Sequence, residues 1–148
     1  MPKTGKISRI ERTDKGDDMA WDGWPLARVV ILFTSFGFLL VFVQVTLMHY
    51  RQNFRTWSQW VPVVSLPFMA LWALLLSLQN LDWIRTVFIV LCVLEAIGGL
   101  YGAYLHLRGV GRRVDGYRLH NFLVGPPVML PFLISATSVL ALLAVYWS

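Results

Sequence analysis

Apolar residues in this chain collect into four long runs, without the alternating or every-third-residue spacing of a water-soluble fold. Leu26 to about Met48 is interrupted only by Arg28, and the runs Trp60 to about Leu78 and Phe122 to Tyr146 carry no charge. Val87 to Leu107 carries a single carboxylate, Glu95. A hydrocarbon layer about 30 Å thick is crossed by roughly 20 residues of helix, which each run approaches or exceeds. The pattern predicts an all-α fold: an integral membrane four-helix bundle with spans over about 25–48, 60–78, 86–107 and 122–146, in antiparallel up-down order.

Residues 1–23 break with this pattern. They hold five basic and five acidic side chains and no apolar stretch, which predicts a polar extramembrane tail and argues against a cleaved signal peptide. Residues 24–148 then form the transmembrane domain. Pro25 suits a first helical turn, whereas Pro62 and Pro67 predict a kinked or non-helical start to the second span. Gln79, Asn80 and Asp82 predict a short turn. Pro126, Pro127 and Pro131 break hydrogen bonding where the fourth span begins, and Asn121 is placed to recap the freed backbone groups. No internal repeat is present, which disfavours an inverted-repeat transporter.

Aromatic residues divide the chain in the same way. Under alternating spans, Trp21, Trp24, Trp83, Tyr146 and Trp147 share one interface and Tyr50, Trp57, Trp60 and Tyr117 the other, as in the belts of membrane proteins. Trp72, in mid-span, is the exception and is expected inside the bundle or against lipid.

Composition sharpens this picture by exclusion. The chain is 57% hydrophobic and 14% charged, against about 25% charged in soluble domains, so no room is left for a soluble catalytic domain. The net charge of +5 comes from basic residues in short juxtamembrane loops, a signature of membrane topology that points away from nucleic-acid partners. One face receives seven basic side chains and the other six. The basic flank before the first helix favours cytoplasmic N- and C-termini on one side. Cys92 is the only cysteine, which rules out an internal disulfide and any cysteine-clustered zinc or iron–sulfur site.

Candidate chemistry is confined to the third span and one set of loops. An ionisable group in mid-membrane must face the bundle, be protonated or be paired. Cys92, Glu95, Gly99, Gly102 and His106 step by three, four, three and four residues and share one helical face. Small residues on such a face admit a neighbouring helix closely, with Glu95 then bonded to Gln44 or to a Ser or Thr across the interface. The same flat face also suits a planar ring, with His106 and His49 as axial ligands to haem b or a chlorin, or with Glu95 beside a quinone.

His49, His106 and His120 all fall at one membrane face, but they lack metal-ligand spacing and no metal site is expected. Arg51, Arg55, Arg108, Arg112, Arg113 and Arg118 lie on that same face, able to contact acidic lipids or a partner subunit, with Arg51 and Arg108 near enough to meet haem propionates. No phosphate-loop, zinc-protease, serine-hydrolase or covalent-haem motif occurs, and no enzyme activity is expected. These features predict a small non-catalytic subunit of a larger membrane complex, energy-transducing or electron-transferring, whose partners are lipids and other membrane subunits. The alternative is a membrane anchor or electron carrier holding haem b, a chlorin or a quinone through His106, His49 and Glu95, with Gly99 and Gly102. A third class is a small transporter that uses Glu95 as a proton-coupled carboxylate.

Overall fold

The computed structural model describes residues 21–113 and 116–148, with residue 113 by its backbone alone. Its elements are α1 (Leu26–Arg51), a 3-10 turn (Trp57–Gln59), α2 (Trp60–Leu78), α3 (Asp82–Arg113), α4 (Leu119–Val124) and α5 (Met129–Tyr146). No strand occurs among the described residues. Four helical segments, Leu26–Arg51, Trp57–Leu78, Asp82–Arg112 and Met129–Tyr146, are long and apolar enough to cross a membrane. Of the tail expected over 1–23, all but residues 21–23 lie outside the described part.

The expected spans are altered where prolines and polar flanks act. The segment 122–146 is divided, because Pro126 and Pro127 donate no backbone hydrogen bond and hold the preceding residue in extended geometry. Gly125 is accordingly extended (φ −83°, ψ −169°), α4 ends at Val124, and α5 starts at Met129 with Pro131 in its first turn. Pro62 likewise falls in the first turn of α2, where a missing N–H is tolerated. The non-helical start expected there is replaced by a helix that runs on through Pro67. At 32 residues, α3 is about 48 Å long and outreaches the hydrocarbon layer. Asp82 and Arg85 at one end, and Arg108 and Arg112 at the other, lie on the turns by which the helix exceeds 86–107.

Each of the four long helices packs on two others, α1 on α2 and α5, and α3 on α5 and α2. Phe38, Leu66, Leu76, Phe88, Cys92 and Ala141 are fully enclosed, with Ala70, Ala73, Ala144 and Ser138 filling the closer approaches. Lipid supplies little hydrophobic drive between helices, so small residues and hydroxyl bonds carry much of the association. The Ser35 hydroxyl donates to the Ala70 carbonyl at 2.7 Å, joining α1 to α2. Ser135 donates to the Ala96 carbonyl at 2.8 Å, joining α5 to α3. Trp72 is half-buried, and its indole N–H reaches the Ile84 carbonyl at 3.2 Å.

One end of the bundle is fastened by residues far apart in sequence. Trp21 Nε1 donates to Leu76 O (2.8 Å) and Arg28 Nε to Ser77 O (2.8 Å). The Arg28 guanidinium also lies 3.9 Å from the centre of the Trp24 ring, so its stem carries the charge back toward the interface. Arg85 Nη2 donates to Ser148 Oγ at 2.7 Å, linking the start of α3 to the C-terminal end of the chain.

Candidate functional site

At the opposite end the helices part around a cavity of about 520 Å³, within the range of small-ligand and cofactor sites. Val45, Met48 and His49 of α1 form one wall, and Leu94, Glu95, Gly98, Gly99, Gly102 and His106 of α3 form another. Leu130, Pro131 and Ile134 of α5 close it together with Pro126 and Pro127. The turn between α1 and α2 adds Gln52, Thr56, Ser58 and Gln59. Each of the five residues singled out on the sequence as cofactor candidates, His49, His106, Glu95, Gly99 and Gly102, thus lines this one space.

Both imidazoles are held from the backbone outward. His49 sits in the last turn of α1 and is buried, and its Nδ1 atom is buried with no hydrogen-bond partner. His106 Nδ1 lies 2.9 Å from the Pro127 carbonyl. Since a carbonyl only accepts, Nδ1 carries the proton, and in the neutral ring the lone pair is on Nε2. Such an outer hydrogen bond fixes tautomer and ring orientation. The proline pair that stops α4 therefore also supplies the carbonyl that orients His106. The two rings stand 6.5 Å apart between centroids, tilted by 54°.

Glu95 lies about three helical turns from His106 along α3. Its Oε1 accepts a hydrogen bond from the Ser65 hydroxyl of α2 at 3.0 Å. Gln44, considered as its partner on sequence grounds, is exposed instead, so the serine alternative is the one realised.

The glycines divide by what stands opposite them. A Cβ on Gly99 would fall 2.7 Å from the Pro131 carbonyl oxygen and 2.9 Å from Ser135 N, and one on Gly102 would fall 3.2 Å from Pro131 Cβ. Both permit the close α3–α5 seam. A Cβ on Gly98 would meet nothing within 4 Å, so a side chain there would have room.

Other expectations are redistributed. His120 lies exposed on α4, and no group of three or more His, Cys, Asp or Glu able to hold a metal occurs among the described residues. Arg51, Arg55, Arg108, Arg112 and Arg118 are exposed, while the Arg113 side chain lies outside the described part. Arg51 and Arg108 are not among the residues lining the cavity, although their neighbours Gln52 and Gly109 are. Asn121 Nδ2 donates to the Gly116 carbonyl at 2.8 Å, which braces the turn before α4. Gln52, Gln59, Thr56, Ser58 and Ser65 were not legible as site residues. Only their folding against α3 and α5 gives them a place, although the density of polar residues in 52–59 marked a loop.

Comparison with protein-family models, with curated proteins and with solved structures finds no match. The chemistry of the cavity itself therefore carries the functional conclusion.

Proposed function

We propose that the chain is a multi-pass membrane protein, crossing the bilayer four times in alternating directions, whose cavity holds a lipid-soluble redox ligand of the quinone class. Contacts of Trp21 with Leu76, of Arg28 with Ser77, of Arg85 with Ser148 and of His49 with His106 support the alternating order. The observation that carries the ligand is the convergence of two histidines, a carboxyl group and a small-residue wall on one largely apolar space. Three turns of helix between His106 and Glu95 amount to roughly 16 Å, more than one ring spans. The ring is assigned to the histidine end, where Gln52, Thr56, Ser58 and Gln59 add hydrogen-bonding groups. Its hydrocarbon tail runs between Leu105, Leu130 and Tyr101 toward the open space beside Gly98. The polar groups at this end are side-chain amides, hydroxyls and imidazoles, with no arginine or lysine lining the cavity to pair a carboxylate, which suits an uncharged ring better than a dicarboxylate.

Haem b is the second reading, favoured by the pair of histidines. His49 and His106, whose ring centroids stand 6.5 Å apart, are the residues that would hold it. Haem would supply one-electron transfer. With either ligand, the chain acts as a small non-catalytic anchor or subunit of an electron-transfer assembly, because it contributes a binding space and no catalytic motif.

Spectra and organic extracts of protein purified from its own membranes separate the possibilities. Co-purifying quinone lost in His49→Ala and His106→Ala, without a Soret band, is the expected result. A Soret band abolished by either substitution replaces quinone by haem, and a red chlorin band replaces it by a chlorin. Protein that carries none of these and takes up neither added quinone nor haem overturns the proposal.

A further inference from the structure

The arginines left unused by the cavity are not equivalent. Arg28 and Arg85 are tied into hydrogen bonds. Among the described residues, Arg51 and Arg55 make no ion pair. They flank a second open cavity of about 270 Å³ whose remaining walls are Gln52, shared with the first cavity, and Asn53, with no carboxylate.

The turn that carries them is unusually fixed. Asn53 (φ 54°) and Phe54 (φ 44°) are both left-handed, a conformation disfavoured for residues with a Cβ and rare for a bulky one. Phe54 is held there by stacking on Trp60, with centroids 4.2 Å apart at 18°, and by an edge contact with His49. The bend folds the backbone N–H groups of Gln52 and Phe54 onto His49 O (3.0 and 3.1 Å) and that of Asn53 onto Tyr50 O (2.9 Å). These bonds cap carbonyls that would otherwise present the negative end of α1 to an anion. The depth of the turn is set by Tyr50 and Trp57, 70% and 82% exposed on either side of it, aromatic residues of the kind that mark the headgroup level.

We infer that Arg51, Gln52, Asn53 and Arg55 form a binding site for the phosphate of an acidic phospholipid headgroup. Two guanidiniums four residues apart supply charge and planar donors for phosphate oxygens, and the side-chain amides supply further donors. A net-anionic headgroup is selected over a zwitterionic one because the two guanidiniums repel a choline cation. The site shares Gln52 with the cavity between α1 and α3, whereas Arg51 and Arg55, on which its test is read, do not line that cavity.

The test uses the full chain in detergent micelles, with retention of phosphatidylglycerol against phosphatidylcholine followed by native mass spectrometry. Preferential retention of phosphatidylglycerol is expected, falling about fivefold for each arginine removed in Arg51→Gln and Arg55→Gln. Arg108→Gln with Arg112→Gln, on the same face but outside this cavity, should leave retention within twofold. If the Arg51/Arg55 double variant does not fold, the two single variants carry the same comparison. Retention unchanged by these substitutions, or reduced equally by the Arg108/Arg112 pair, overturns the site. Displacement of the lipid by millimolar inorganic phosphate would assign the site to free phosphate and overturn its assignment to a lipid.

Discussion

At the scale of single residues, the Ser65 hydroxyl of α2 donates to the Glu95 carboxyl of α3 beside the cavity. Hydrogen bonds between membrane helices average about 0.6 kcal/mol, with a maximum near 1.7 kcal/mol. A double-mutant cycle of Ser65→Ala with Glu95→Ala, read from unfolding in mixed micelles, should return a coupling in that range. A coupling of zero would show that the two groups do not act on one another. The left-handed pair gives a second case. Asn53→Val forces a β-branched residue into φ 54° and should destabilise by about 1–2 kcal/mol, whereas Asn53→Gly should be neutral or slightly stabilising. Glu95 was readable in the sequence as an oddity, since no other carboxylate interrupts an apolar run. Its partner was not, because periodicity on α3 says nothing about which serine of another helix comes opposite.

For the helices as elements, the seam between α3 and α5 decides how wide the cavity is. Gly99 faces backbone atoms of Pro131 and Ser135 that cannot step aside, while Gly98 faces open space. Gly99→Ala should therefore cost about 1–3 kcal/mol through forced separation of the helices, and Gly98→Ala, one residue away, should be neutral or stabilising through its better helix propensity. Equal effects at the two positions in thermal unfolding would contradict the packing described. The face shared by Glu95, Gly99, Gly102 and His106 followed from a 3.6-residue period. That Gly99 and Gly102 serve the seam as well as bordering the cavity with the imidazole and carboxyl depends on how closely α5 approaches at Pro131 and Ser135.

On the scale of the whole molecule, the proposed alternating order makes a topological prediction. In a Cys92→Ala background, cysteines at Ser58 and Arg112 should react with a membrane-impermeant maleimide from one side of sealed vesicles. Cysteines at Gln79 and Ser148 should react from the other side. Labelling of Ser58 and Arg112 from opposite sides would exclude the order. Phe33, Leu40 and Leu133 are exposed on the helices, as the proposed membrane topology, which turns such faces toward hydrocarbon, requires.

The sequence by itself determined the number of long apolar helices and their approximate limits, because a bilayer imposes a length and a polarity on anything that crosses it. It also marked His49, His106 and Glu95 as the polar exceptions near those helices. The tertiary structure alone decided that the three border one cavity, and that Pro126 and Pro127 split the last segment so that a carbonyl orients His106. It also separated Arg51 and Arg55 from the other arginines of their face. These outcomes depend on distances between helices set by backbone approach at a few small residues and by a left-handed turn, and neither quantity is written in the hydropathy of any single segment.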